Sequence, residues 1–326
     1  MATRSSSSDG ALPVVDLAPF FLAGVGDVDA ARSRVTEAVR EACMSTGFFR
    51  VVNHGVPPEL MARALELSAA FFALPDEEKA KVRPAEGSSS APLPAGYARQ
   101  PAHSADKNEY LLVFNPELWL NVYPAEPAGF RNALEECYAK LTALGLLIQD
   151  ILNECMGLPP GFLAEYNADR NFDFLTPLRY FPATSAEETN GIYAHEDANL
   201  VTFVLQDNVG GLEVLGSDGW VPAGPVEGTI IANIGDIVQV LSNNKFKSAT
   251  HRVIRKPGAH RHSLAFFFNL HGDRWVEPLP LFAGNLGEAP SYRGFKYGDY
   301  MQLRMRNKTH PPSRPEDVID ITHYAI

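Results

Sequence analysis

Two hydrophobic rhythms divide the chain. Before Met156 most apolar positions recur at the spacing that lines one face of a helix, and after Asn171 they come in short runs broken by Gly, Asn, Asp and Pro, the pattern of strands and turns. In the first half, Asp27 to Thr46 and Pro58 to Leu74 read as helices, with Gly47 stopping the first. Arg131 to Met156 carries the longest stripe, Leu134, Cys137, Leu141, Leu144, Ile148 and Leu152, and is expected to back a sheet. Leu12 to Leu17 and Phe48 to Asn53 read as short strands, which together with these helices suggest an N-terminal α/β cap. Arg83 to Ser104, rich in Pro, Ser, Gly and Ala, reads as a loop, and Glu109 to Phe114 as a strand whose alternate residues could face a pocket.

The second half predicts strands at Thr176 to Phe181, Ile192 to His195, Leu200 to Gln206, Gly211 to Val214, Trp220 to Pro222, Thr229 to Ile234, Ile237 to Leu241, His251 to Arg255 and His262 to Asn269. Many short strands joined by tight turns imply a sandwich or barrel, and a double-sheet jelly roll encloses a central cavity. The expected class is therefore α+β, mainly β. The expected division is a flexible N-terminus over 1–10, a cap region over 11–120, backing helices over 121–170, a jelly-roll core over 171–285 and a C-terminal helix and tail over 286–326.

Composition narrows the chemistry. A chain of 326 residues, 45% hydrophobic and 21% charged, is long enough for a substantial core. Its net charge of -11 and lack of any Lys/Arg block argue against a nucleic-acid surface or a polybasic membrane anchor, which leaves a small molecule as the expected partner. Cys43, Cys137 and Cys155 lie at scattered spacings in helical segments and read as buried free thiols in a reducing compartment. Met1 to Gly10 is Ser-rich without an apolar centre, and no apolar run is long enough to cross a bilayer. A monomer in the cytosol is expected, with the nucleus as a further location.

Candidate chemistry concentrates between Asn190 and Leu270. His195 and Asp197, two apart in an extended-looking segment, can point at one metal ion, and His251 supplies a third ligand. Two imidazoles and one carboxylate leave positions open on an octahedral ion, the arrangement of a non-haem Fe(II) centre, whereas a closed zinc site would want four ligands, usually with sulfur. His-x-Asp alone is weak, but here Arg261 and Ser263 follow at alternate positions at the mouth of an apolar strand and suit a carboxylate. His54, with no other ionisable group near it in sequence, reads as a turn histidine bonded to backbone. Tyr97 and Arg99, in the less polar part of the long loop, are candidate substrate contacts.

From Leu178 to Leu270 the chain resembles the plant-type 2-oxoglutarate- and Fe(II)-dependent dioxygenases, a family that includes isopenicillin N synthase and the gibberellin and auxin oxidases. Leu12-Pro13-Val14-Val15-Asp16-Leu17 and Gly47-Phe48-Phe49-Arg50-Val51-Val52-Asn53-His54-Gly55-Val56 resemble that family's N-terminal region. The resemblance implies a distorted double-stranded β-helix with Fe(II) on His195, Asp197 and His251. It also implies 2-oxoglutarate held by Arg261 and Ser263, dioxygen as co-substrate, and ascorbate as an activator. The reaction it implies hydroxylates, desaturates or cyclises a small metabolite or hormone, releasing succinate and carbon dioxide. By position, Tyr110, Leu112, Phe267 and Asn269 resemble substrate-pocket residues of flavonoid-oxidising members, and the stretch after Tyr292 resembles a C-terminal helix that can cover the cavity mouth.

One departure stands out. Arg179-Tyr180-Phe181-Pro182 replaces the Asn-x-Tyr-Pro run of many plant members, leaving Tyr180 as the only hydroxyl there to help hold 2-oxoglutarate. Arg179 could instead bind a substrate carboxylate. Arginine at this place also occurs in isopenicillin N synthase, so an oxidase that needs no oxo-acid stays open. So does a jelly roll that only binds a ligand.

Overall fold

The computed structural model describes residues 12–21, 27–84, 94–284, 288–309 and 317–326, so the Ser-rich segment 1–10 lies outside it. The chain starts with β1 (Val14–Asp16), α1 (Ala18–Phe21), α2 (Val28–Ser45) and β2 (Phe48–Val52). The Asp27 side chain caps α2 by accepting the Ala30 N–H at 3.1 Å. Between α2 and β2, Gly47 sits at φ +67°, and a Cβ there would lie 2.1 Å from the Lys247 carbonyl oxygen. Next come α3 (Pro58–Ala73), α4 (Asp76–Ala80), β3 (Gly96–Arg99) and β4 (Asn108–Phe114). Then α5 (Phe130–Cys155) and α6 (Phe162–Tyr166) precede the β-rich half.

That half holds β5 (Phe174–Tyr180), β6 (Asn190–His195), β7 (Val201–Gln206), β8 (Leu212–Gly216), β9 (Gly219–Pro222), β10 (Ile230–Ile234), α7 (Asp236–Leu241), β11 (His251–Ile254) and β12 (Arg261–Phe268). It closes with β13 (Trp275–Val276), β14 (Phe295–Lys296) and α8 (Tyr297–Thr309). An eight-stranded sheet runs β1-β2-β10-β7-β12-β5-β4-β3, and a four-stranded sheet runs β6-β11-β8-β9. Leu178, Tyr180, Ile231 and Ala265 of the large sheet pack with Leu212, Val214 and Val253 of the small one. The other face of the large sheet buries Leu111, Val113, Leu175, Phe203, Leu264 and Phe266 among the residues of α2, α3 and α5. The predicted stripe of α5 is buried throughout, and Gly145 of the same helix meets Phe268, whose Cδ2 would lie 2.4 Å from a Cβ at that position.

The N-terminal strands join the main sheet: β2 pairs with β10 and β4 with β5, so both flanks of that sheet come from the N-terminal half. Two expectations change. Gly96 to Arg99, read as part of a loop, is a strand because β4 offers it an unpaired edge, a long-range partner invisible in local composition. Ile237 to Leu241, read as a strand, is helix α7, since a five-residue apolar run fits a buried helix turn equally well.

Candidate metal centre

His195 ends β6 and His251 begins β11, and the antiparallel register sets them directly opposite each other. Their ring centroids are 4.3 Å apart. Asp197 lies beyond the end of β6 rather than on it, where its carbonyl oxygen accepts the Asp236 N–H at 2.8 Å. That bend brings its Oδ1 to 3.6 Å from His195 Nε2 and 3.7 Å from His251 Nε2. One ligand atom from each of the three residues lies within 4.8 Å of the others.

The surroundings prepare these atoms for a cation. His195 Nδ1 faces the Tyr193 carbonyl at 2.7 Å and His251 Nδ1 faces the Ala249 carbonyl at 3.1 Å. A carbonyl only accepts, so each Nδ1 carries the proton and each Nε2 turns a lone pair toward Asp197. Asp197 Oδ2 accepts from the Thr202 hydroxyl at 2.6 Å and from Asn233 Nδ2 at 2.8 Å, leaving Oδ1 for a metal. Burial, reinforced by the neighbouring His251, pushes the His195 imidazole down to about 3, which keeps it neutral and ready to ligate. Burial raises the Asp197 carboxyl, but the two imidazoles and the Thr202 and Asn233 donors outweigh it and hold the group below its ordinary value. Phe48 of β2 packs edge-on against His251, with centroids 5.1 Å apart. Two imidazole nitrogens, one carboxylate oxygen and no sulfur fit Fe(II).

Along the same inner face, β12 pairs Arg261 with Tyr180 and Ser263 with Leu178 on one side, and Ser263 with Gln206 of β7 on the other. Arg261 is 2% exposed. Its Nη1 donates to Ser263 Oγ at 3.1 Å and its Nη2 to Gln206 Oε1 at 3.0 Å, while its buried Nε has no partner among the described residues. Its guanidinium carbon lies 4.8 Å from the centroid of the Tyr180 ring. Burial raises the Tyr180 phenol, with Arg261 opposing that shift, so it stays a neutral donor. A buried guanidinium that hydrogen-bonds only neutral groups, with the Asp207 carboxylate acting on it through charge alone, fits the carboxylate of an oxo-acid.

Further along this face Tyr110, Leu112 and Phe267 form an apolar wall with Phe114, Phe174, Leu118 and Met305 of α8, and Phe174 stacks on Phe267 at 4.6 Å. The remaining substrate candidates lie elsewhere. Strand alternation turns Tyr97, Arg99 and Arg179 to the opposite face, around the fully buried Glu109. Glu109 accepts from Tyr97 at 2.6 Å, Arg99 at 3.0 Å and Arg179 at 2.5 Å, with Lys79 at 3.4 Å. These residues tie α4 to the sheet, so their assignment as substrate contacts is withdrawn. Asn269 is withdrawn as well, because it is buried, spends both amide hydrogens on the Phe172 and Phe267 carbonyls and accepts from Tyr297. His54 is the turn histidine expected, with Nδ1 accepting the Val56 N–H at 3.2 Å.

Sequence reading missed Thr202, Gln206 and Asn233. Their signal was a polar residue inside an otherwise apolar strand, since such a group is buried only when something nearby needs its hydrogen bonds.

Fold and site together define an oxygenase built around one mononuclear metal in a jelly roll. The chain belongs to the 2OG-Fe(II) oxygenase superfamily. Residues 172–270 match that superfamily, and residues 12–118 match the N-terminal region described as non-haem dioxygenase in morphine synthesis. The chain is 33% identical to naringenin,2-oxoglutarate 3-dioxygenase of Matthiola incana over 84% of its length and 76% of the relative's. It is 33% identical to gibberellin 20 oxidase 2 of Oryza sativa subsp. indica over 94% of its length and 78% of the relative's. Among solved structures it is similar to JOX2 in complex with 2OG, Fe and JA, with a TM-score of 0.79 and 30% identity, covering 95% of this chain and 89% of that one. It is thus an Fe(II)- and 2-oxoglutarate-dependent dioxygenase. No described helix is long and apolar enough to cross a membrane.

Proposed function

We propose that His195, Asp197 and His251 hold Fe(II), that Arg261, Ser263 and Tyr180 hold the distal carboxylate of 2-oxoglutarate, and that the substrate lies against Tyr110, Leu112 and Phe267. The observation that carries this reading is Arg261, a cation 2% exposed whose fork bonds only neutral groups and whose Nε has no partner among the described residues. An incoming carboxylate meets the N–H donors of this fork and the Ser263 hydroxyl, so binding gives the buried guanidinium a hydrogen-bonded counter-charge that the more distant Asp207 carboxylate does not supply. Bound iron supplies the activation of dioxygen and the oxidising power. The chain's own residues do the rest. The Tyr193 and Ala249 carbonyls fix the imidazole tautomers, Thr202 and Asn233 aim the Asp197 carboxylate, and the aromatic wall excludes water from the reacting face.

The wall also describes the substrate. It is apolar and aromatic, and among the described residues the Tyr110 hydroxyl makes no hydrogen bond. A flat, largely apolar compound with one polar group within reach of Tyr110 fits it. Relatives named for naringenin, flavanone and gibberellin support this class. The protein is further proposed to act as a monomer in the cytosol. The test is anaerobic addition of 2-oxoglutarate to the Fe(II) protein, followed by succinate measurement in air with a panel of flavonoids and hormone acids. A charge-transfer band, then succinate release coupled to one compound, is expected. Iron-loaded protein with no such band would overturn the reading.

A further inference from the structure

Glu196 stands between two of the proposed ligands, and both of its ends are held. Its carboxylate accepts a hydrogen bond from the Thr250 hydroxyl, and Thr250 immediately precedes His251. Its carbonyl oxygen accepts Arg304 Nη2 of α8 at 2.5 Å. The other nitrogen of that fork donates to Asp236 Oδ2 at 3.2 Å and to the Tyr300 hydroxyl at 2.9 Å, and Tyr300 donates to the same Asp236 oxygen at 2.6 Å. Asp236 returns to the site through its backbone, whose N–H is the one bonded to the Asp197 carbonyl at 2.8 Å. The preceding Gly235 has no room for a side chain: a Cβ there would lie 2.6 Å from that carbonyl and 2.3 Å from the Asn199 carbonyl. Arg304 therefore grips the backbone flanking Asp197 from two sides, and Thr250 links the same turn to His251.

We propose that Arg304 and Thr250 are positioning residues that set the spacing of the His195, Asp197 and His251 ligand atoms through Glu196, so that metal affinity depends on how α8 is seated. The proposal rests on the metal reading given above. Hydrogen-bonded partners of this kind usually hold their ligands to within the tolerance of the coordination sphere, and removing one costs about ten- to a hundred-fold in metal affinity. Arg304 is suited to the task because a guanidinium reaches two acceptors in one plane, which an ammonium cannot do. The bonds also make α8 more than a cover, since Met305, next in sequence, joins the apolar wall. Seating of the helix on the wall and fixing of the ligand turn are thus one event.

The test titrates Co(II), a spectroscopic stand-in for Fe(II), into full-length apoprotein carrying Thr250→Val or Arg304→Lys. The controls are His195→Ala, which removes a ligand, and Gly145→Ala, which strains the distant contact between α5 and Phe268. Both positioning variants are expected to bind Co(II) about ten-fold more weakly with a shifted visible spectrum, while Gly145→Ala lowers the melting temperature and leaves affinity and spectrum unchanged. Thr250→Val keeps the side chain's shape and decides the matter should Arg304→Lys fold poorly. Wild-type affinity and spectrum in Thr250→Val, or an affinity loss in Gly145→Ala as large as theirs at the same fall in melting temperature, would overturn the proposal. Wild-type protein binding no better than His195→Ala would instead overturn the metal reading beneath it.

Discussion

Arg261 and Glu109 present opposite cases of a buried charge. Arg261 hydrogen-bonds only neutral groups and lacks a directly bonded anion, whereas Glu109 is bonded by Lys79, Arg99 and Arg179 and is already satisfied. Arg261→Lys keeps the charge but loses the planar fork, so the Michaelis constant for 2-oxoglutarate is expected to rise about ten-fold or more, the equivalent of one charge-assisted hydrogen bond. Metal affinity in the apoprotein should not move, and steady-state kinetics alongside metal titration check both. Glu109→Gln leaves Arg179 without its counter-charge, while Lys79 and Arg99 keep Asp76, and is expected to lower unfolding free energy by about 3 kcal/mol. Chemical denaturation reads that loss, while 2-oxoglutarate binding by the folded variant should match wild type. Arg179 was the reason for keeping an oxo-acid-independent oxidase in view, and its ion pair with Glu109 removes it from the site face. Residue identity had named both arginines as candidates, but only strand parity and pairing told the one that waits for a ligand from the one already paired.

At the scale of elements, the close packing of α5 on β12 carries the main sheet. Gly145→Ala forces Phe268 out of a space it fills, since its ring carbons would lie 2.4 Å and 2.7 Å from the new methyl. The expected cost is about 1–3 kcal/mol of stability from overpacking, read as a lower denaturation midpoint with unchanged Co(II) affinity. The same scale explains which elements were legible. α2, α3 and α5 announce themselves because their stripes are long and stopped by recognisable residues, Asp27 and Gly47 among them. β3 and α7 do not, because each is short and takes its conformation from a neighbour: β3 from the free edge of β4, α7 from the turn that fastens Asp236 to Asp197. α8 was foreseen as a helix over the mouth, yet its link through Arg304 to Glu196 joins residues 108 positions apart and left no local trace.

For the whole molecule, the metal site is where the two sheets meet, and it draws on both halves of the chain. Phe48 from the N-terminal part packs on His251, and Thr202 and Asn233 of the large sheet hold Asp197 against the two histidines of the small one. Ligands that bind only this assembled state stabilise it by mass action. Fe(II) with 2-oxoglutarate at about a hundred times their dissociation constants should therefore add roughly 2.7 kcal/mol per independent site. Differential scanning calorimetry under nitrogen should show the melting temperature rise on loading and fall back on chelation. The sequence by itself determined which atoms could ligate, because His-x-Asp, a distant His and Arg-x-Ser are choices of chemistry written into side chains, and it determined the β-rich class, because apolar spacing is local. Only the tertiary structure decided which face each residue took, which charges were already paired, and how the C-terminal helix holds the ligand turn, because those depend on strand register and on contacts between residues far apart in the chain.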